Sequence, residues 1–205
     1  MELRLPTSEE LKLAYERDMT PAFPRAERKP LRVIEQLYEK GLYRPWCLFD
    51  GTELVGEAFI WAFEEGYALF DYLCITDSRR NDGLGSALIG KLLEKERGRI
   101  VFGEAEIPAY APDPAMAERR LGFYKRNGLK KAFYDTNLFG VPYHTLYWAQ
   151  SEVDEQSLLA AHQRCYEKKM PKLIYKTCVR IPWDKSMGQL EKTDWEEEDD
   201  ENTGI

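Results

Sequence analysis

A covered strand that passes through a polar turn into a glycine-paired helix start leaves few folds open to this chain. Residues 69–91 read LFDYLCITDSRRNDGLGSALIGK. Leu69–Ile75 is an apolar run rich in Leu, Phe, Tyr and Ile, with the length of a buried strand. From Leu84 the apolar positions fall at Leu84, Ala87, Leu88 and Leu92, with Ile89 and Leu93 beside them, which is helical spacing. Between the two lies Arg80-x-x-Gly83-x-Gly85. A glycine pair lets backbone approach a ligand without Cβ obstruction. The unpaired N–H groups and the dipole of a helix start favour an anion. The segment predicts a site for a phosphate-bearing ligand.

Composition bounds the rest. At 205 residues, 43% of them hydrophobic, the chain suits one domain with length to spare for an appendage. The net charge of −7 is not evenly spread, because residues 191–201 (EKTDWEEEDDE) carry eight acids and one lysine. The remaining 28 acids and 28 bases cancel, so the body lacks the basic footprint that nucleic acid requires. Short basic pairs such as Arg79-Arg80, Lys125-Arg126 and Lys130-Lys131 fit solvated helix faces and turns. No apolar stretch approaches 18 residues and no signal-type segment is present, which predicts neither membrane insertion nor export. Cys47, Cys74, Cys165 and Cys178 are widely spaced, and the two histidines, His144 and His162, have no cysteine pair nearby. That pattern predicts free thiols in a cytoplasmic protein, with neither a disulfide scaffold nor a metal site.

Along the chain, residues 2–5 read as a short strand, and Thr7 or Ser8 caps a helix with Glu9-Glu10 in its first turn. Pro21 and Pro24 break that helix. Residues 27–40 read as a second helix, ended by Gly41. Residues 44–49 and 53–62, joined by Asp50-Gly51, form a hairpin. Residues 67–75 form the next strand, then come the glycine-led helix, a strand at 99–106, a proline-containing loop, and a helix at 115–127 stopped by Gly128. Strands at 131–138 and 143–149 follow. The predicted fold is α/β of the mixed α+β kind, with helices on both faces of a mostly antiparallel sheet. Residues 1–149 make the main domain. Residues 150–185 add a helix at 152–169 and a strand or extended arm at 173–181, packed on that domain. Residues 186–205 read as an acidic disordered tail.

A dinucleotide-binding unit is a natural rival, because Glu104 lies nineteen residues after Gly85. That fingerprint needs its glycines directly after the strand and a small residue at position 88. Here seven residues, Thr76–Asp82, intervene and position 88 is Leu. A P-loop fails because no Gly-Lys-Ser/Thr follows.

Strand, turn, R-x-x-G-x-G and helix, then strand, helix and Phe123-Tyr124-x-x-x-Gly128, resemble the GNAT superfamily of acyl-CoA-dependent N-acyltransferases. The nearest likeness is to bacterial members of unassigned substrate, which share an F-P-x-x-E-R-x-P stretch, here Phe23–Pro30. The likeness covers residues 2–149 and implies splayed fourth and fifth strands. It implies acetyl-CoA as co-substrate and no metal. The pantetheine arm would pair with the main chain of Leu73, Cys74 and Ile75, where a backbone N–H also supports the oxyanion. The pyrophosphate would lie over Arg80, Asn81, Asp82, Gly83, Leu84, Gly85 and Ser86. Tyr124 aligns with the tyrosine that protonates the departing thiolate, a role that suits a phenol. Glu104, in the family's usual position for a base, and Glu106 alternate on one face of the fifth strand. Either of them, or water alone, would take the amine proton.

Two features depart from the family: Asp77 stands where members often have Pro, and Asn81-Asp82 where they have Gly and a basic residue. The asparagine that some members place before the tyrosine is also missing, position 117 being Ala. The implied activity is direct transfer of acetyl to a primary amine in a ternary complex, by a monomer or homodimer. A GNAT-fold protein that binds acyl-CoA without turnover is the alternative. Residues 20–30 and 133–143 would form the acceptor site, with Trp61, Tyr110, Tyr134, Phe139 and Tyr143 as candidate aromatic lining. His144, on a strand with alternating neighbours, reads as structural.

Overall fold

Local chemistry starts the chain. After β1 (Glu2–Arg4), the Thr7 hydroxyl accepts the Glu10 N–H at 3.3 Å while the Glu10 carboxylate accepts the Thr7 N–H at 2.8 Å. This reciprocal box opens α1 (Ser8–Ala14). A π-helical turn (Tyr15–Met19) and one last turn (Thr20–Ala22) extend it. The expected helix over 27–40 is shorter than predicted: Arg25–Glu27 is a 3-10 turn and α2 runs Leu31–Glu39. Pro30 is the reason, since it holds the residue before it extended and helix can begin only beyond it. The computed structural model describes residues 1–188 apart from position 24 and the side chain at position 26.

Beyond α2 come β2 (Tyr43–Asp50), β3 (Glu53–Glu64), β4 (Tyr67–Ile75), α3 (Leu84–Lys95), β5 (Ile100–Glu106), α4 (Pro114–Arg126), β6 (Lys130–Leu138) and β7 (Val141–Trp148). Then follow α5 (Glu155–Lys169), α6 (Lys172–Cys178) and β8 (Val179–Trp183). The strands form one sheet in the order β1-β2-β3-β4-β5-β7-β6-β8. Only β4 and β5 are parallel, joined by the α3 crossover. The fold is thus the mixed, mostly antiparallel α/β architecture read from the sequence. One core face gathers Leu11, Ile34, Phe59, Leu69, Phe102 and Leu158 beneath α1, α2 and α5. The other gathers Ile60, Ala68, Leu88, Leu92, Val101 and Ala105 beneath α3 and α4.

The C-terminal part corrects two expectations. The stretch 173–181, read as strand or arm, splits into α6 and β8, and β8 pairs antiparallel with β6. Seven residues are too few for periodicity to separate helix from strand. A 3-10 turn, Lys185–Met187, runs across the boundary drawn between arm and tail at 185/186. Asp184 caps it by accepting the Ser186 N–H at 2.7 Å, and Trp183 Nε1 donates to the Gly188 carbonyl at 2.7 Å. The acidic run at 191–201 lies outside the described residues. Among these residues no helix is long and apolar enough to cross a membrane. All four cysteines are buried, and no disulfide joins them.

One core position has a measurable consequence. Glu57 on β3 lies opposite Cys47 on one side and Cys74 on the other, fully buried. Neither carboxyl oxygen has a hydrogen-bond partner among the described residues. Burial, reinforced by the charge of Asp18, pushes this carboxyl well above the usual carboxylate range. The folded chain therefore keeps a proton that the unfolded chain releases as pH rises past 4.5. Stability from this group is full below that value and falls as pH rises toward the folded-state value. Glu57→Gln is expected to flatten the decline in unfolding free energy between about pH 5 and 8, followed by urea denaturation. Equal slopes for the two chains would show that Glu57 is ionised in the fold.

Candidate active site

The sheet opens where β4 and β5 part. Their pairing is confined to Tyr67 with Ile100, Ala68 with Val101 and Leu69 with Phe102. Gly103 marks the fork: a Cβ there would sit 2.8 Å from the Phe70 carbonyl oxygen, so only glycine admits this close approach. Beyond it, β5 pairs with β7 alone and β4 with β3 alone. Leu73, Cys74 and Ile75 therefore present one main-chain edge to the opening. A register skip, with Phe59 opposite Tyr72 and Ile60 opposite Phe70, leaves Asp71 as the extra residue of a β-bulge at the fork.

At the mouth of the fork stands the start of α3. Its N-cap, Gly83, adopts φ +77° and no side chain caps the helix. The first helical bond runs from Ala87 N–H to the Gly83 carbonyl at 3.2 Å, which leaves the Leu84, Gly85 and Ser86 amides directed outward. Asn81 is left-handed at φ +72°, which asparagine tolerates. The two acids that depart from the family pattern are both paired and turned to solvent. Asp77 meets Arg80 at 2.9 Å with its side chain 90% exposed, and Asp82 meets Arg79 Nε at 3.5 Å with 57% exposed. The uncapped helix end remains fit to receive an anion. Phe123 of α4 packs on this first turn, since a Cβ on Gly85 would meet its ring at 3.1 Å.

Side chains reach the fork from both faces. Along β5, Val101 and Ala105 join the core under α3 and α4, whereas Phe102 joins the opposite core. Glu104 and Glu106 share the Phe102 face by strand alternation. Tyr124 of α4 lies on the other side, its ring edge-on to Phe70 at 6.2 Å. Burial pushes its phenol above the usual tyrosine range, against a smaller opposing effect of Arg120.

Glu104 and Glu106 are held differently. Glu106 is bound by Arg120 at 2.8 Å. Glu104 Oε1 takes two donors from α5, His162 Nε2 at 2.7 Å and the Tyr166 hydroxyl at 2.9 Å. His162 Nδ1 lies 3.1 Å from the Tyr134 hydroxyl, so a single tautomer satisfies the row, with Nε2 protonated and Nδ1 accepting. Tyr143 is pushed upward by burial and then by the charges of Glu27, Glu104 and Glu106, so the three carboxylates share one neighbourhood. Crowding, then the charge of Glu106, also raises the Glu27 carboxyl.

The segment before α2 is fastened over this face. The Tyr72 hydroxyl donates to the Glu27 carbonyl at 2.8 Å and accepts the Lys29 N–H at 3.0 Å. Phe23 packs edge-on to Tyr72 at 5.1 Å. Asp71 binds the Lys29 ammonium, Lys169 Nζ at 3.1 Å and the Tyr43 hydroxyl at 2.6 Å. Burial alone would raise this carboxyl, but the two ammonium charges outweigh it and hold it well below the usual carboxylate range.

Of the residues singled out from sequence, Leu73–Ile75 lie on β4 beyond its last pair with β5, Arg80–Ser86 lead into and open α3, Glu104 and Glu106 lie on β5 beyond the same pair, and Tyr124 packs on Phe70 of β4. Trp61 and Tyr134 are buried core side chains. Tyr110 is drawn elsewhere: it stacks on Trp183 at 5.8 Å and lines a groove of about 560 Å³ that includes none of Glu104, Glu106 and Tyr124. His144 is tied to Asp135 at 2.8 Å. Sequence reasoning gave no individual role to Glu27 and Lys29 within the stretch 20–30, and none to Arg120, Tyr166, Asp71 and Lys169 or to His162 beyond excluding a metal site. For His162 and Tyr166 the only available signal was their separation by one helical turn on a helix outside the recognisable domain.

No protein-family model matches this chain. YjbC of Bacillus subtilis (strain 168), described as a candidate acetyltransferase, is 29% identical over 111 residues, 50% of this chain and 55% of YjbC. The chain thus spans little more than half the length of that curated relative. A candidate GNAT-family acetyltransferase from Bacteroides thetaiotaomicron superposes with a TM-score of 0.63 at 19% identity, over 80% of this chain and 95% of the other. Spermidine N-acetyltransferase from Vibrio cholerae, solved in complex with CoA and spermine, superposes with a TM-score of 0.54 at 14% identity, over 73% and 95%.

Proposed function

We propose that this chain, whose fold is that of the GNAT acetyltransferases, transfers acetyl from acetyl-CoA to a primary amine. One observation carries the reading: a fork in the sheet, directly beside an uncapped helix start, is flanked by a phenol on one face and a carboxylate on the other. The α3 amides and its dipole suit the pyrophosphate. The open edge of β4 at Leu73–Ile75 suits an amide-bearing arm and supplies N–H donors to an oxyanion.

The chemistry balances within one ternary complex. An ammonium acceptor gives a proton to Glu104, directly or through one water. The free amine attacks the thioester carbon, and the tetrahedral intermediate gives its second N–H proton to solvent and collapses with cleavage of the C–S bond, Glu104 passing its own proton to solvent afterwards. The thiolate takes the Tyr124 proton, and solvent restores the phenol. The net change is acetyl-CoA and an ammonium going to an amide, free CoA thiol and one proton. The cluster of Glu27, Glu104 and Glu106, only one of them bound by arginine among the described residues, favours a cationic acceptor.

The test has two stages. Saturating acetyl-CoA is expected to raise the melting temperature, since a ligand at 100 times its Kd adds about 2.7 kcal/mol. A panel of amines is then scanned for release of CoA thiol. Stabilisation without thiol release in any amine pool identifies a non-catalytic acyl-CoA binder. Absence of any stabilisation rejects acetyl-CoA as the ligand.

A further inference from the structure

We infer that the C-terminal helix α5 sets the catalytic carboxylate: His162 and Tyr166 are positioning residues that pin one oxygen of Glu104 and so aim the other at the acceptor amine. The inference rests on the acetyltransferase reading and extends it to a helix that lies outside the core α/β unit.

The geometry is specific. Both donors converge on one oxygen, Oε1, at 2.7 and 2.9 Å. Among the described residues Oε2 receives no donor, and the Glu104 side chain keeps 11% of its surface open. A carboxylate rotates about its last bond unless both ends are distinguished, and pinning Oε1 fixes where Oε2 points. Oε2 is then the oxygen that an ammonium or a bridging water can meet. His162 is itself fully buried, and its second nitrogen is satisfied by Tyr134 of β6. The row Tyr134–His162–Glu104 therefore crosses from β6 through α5 to β5, and its middle member has no route to solvent.

A purely structural role is the competing explanation, because a buried histidine needs partners wherever it lies. Glu104 argues against it. Satisfying His162 does not by itself account for a second donor on the same oxygen. Nor does such a role account for its place two strand residues beyond the last β4–β5 pair, at the edge of the fork. Lys169, one turn beyond Tyr166 on the same helix, binds Asp71 at the bulge. The helix is thus anchored at the fork through both diverging strands, to Glu104 on β5 and to Asp71 on β4.

The experiment compares the full-length wild type with Tyr166→Phe, His162→Gln and His162→Leu, in CoA-thiol release with an amine that the wild type turns over. Tyr166→Phe removes one oxygen and keeps the ring. It is expected to lower kcat about tenfold, as for loss of one hydrogen bond to a charged group. His162→Leu is expected to cost about 100-fold in kcat. His162→Gln, which returns an N–H donor near the Nε2 position, is expected to recover at least about tenfold of that loss. The acetyl-CoA KM is expected to stay unchanged in all three, and melting temperatures identify any variant that fails to fold. Unchanged kcat in folded Tyr166→Phe and His162→Leu, or equal losses in the Gln and Leu variants, overturns the positioning role and leaves the acetyltransferase reading intact. Absence of turnover by the wild type with every amine overturns both.

Discussion

Replacement of Tyr124 by phenylalanine is expected to lower turnover about 100-fold and to leave acetyl-CoA affinity nearly unchanged. The substitution removes one hydroxyl from a ring whose edge-on packing on Phe70 and contact with Phe123 do not depend on it. The fold and the fork are therefore retained. What is lost is a protonated donor on the α4 side of the opening, kept protonated by burial. A thiolate must then leave as an anion or find a proton in water. Turnover falls with the chemical step, while affinity, set by the α3 amides and the β4 edge, does not. Isothermal titration with acetyl-CoA and steady-state kinetics read the two quantities separately. Unaltered kcat excludes Tyr124 as the acid.

The other large effect concerns the opposite face. Glu104→Gln keeps a carbonyl oxygen for the His162 and Tyr166 donors, so the row of hydrogen bonds from Tyr134 is preserved. In place of Oε2 it puts an amide nitrogen, which cannot accept a proton. Turnover is expected to fall by about 100-fold to 10,000-fold, the range that general bases contribute. Glu106→Gln, at a carboxylate already bound to Arg120, serves as the comparison. If Glu106→Gln loses more than Glu104→Gln, the base has been assigned to the wrong carboxylate. If neither falls, water takes the proton unaided.

Local physics made much of this fold legible. The strand Tyr67–Ile75, the helix start at Leu84 and the hairpin through Asp50-Gly51 are each specified by a few neighbouring residues, and the structure places them there. The α2 boundary shifted because one proline outweighs an apolar rhythm that continues through it. The division of 173–181 between α6 and β8 depends on β6, a partner distant in sequence. The site followed the same division. The loop proposed to face a phosphate is local and readable. Arg79 and Arg80, already visible in the sequence as a basic pair, prove to neutralise Asp82 and Asp77 at i,i+3 spacing.

The acceptor side was the least legible part. His162 meets Glu104 across 58 residues, and Lys29 meets Asp71 across 42. A lone histidine on an amphipathic helix carries no mark of its partner. Glu27 lies in a stretch with a helical rhythm, yet Tyr72 pins that stretch as a loop across the face of the sheet.

The fork at Gly103 also has a topological consequence. Because the acid and the base stand on opposite faces, the reaction would take place within the thickness of the sheet, in a window through the wall instead of a pit dug into it. A window has two sides. On the proposed reading the nucleotide-bearing donor would lie along the α3–α4 side, while the amine would arrive from the α2–α5 side beneath the pinned loop. Neither would have to vacate a shared passage for the other, so binding in either order is the expected kinetic pattern.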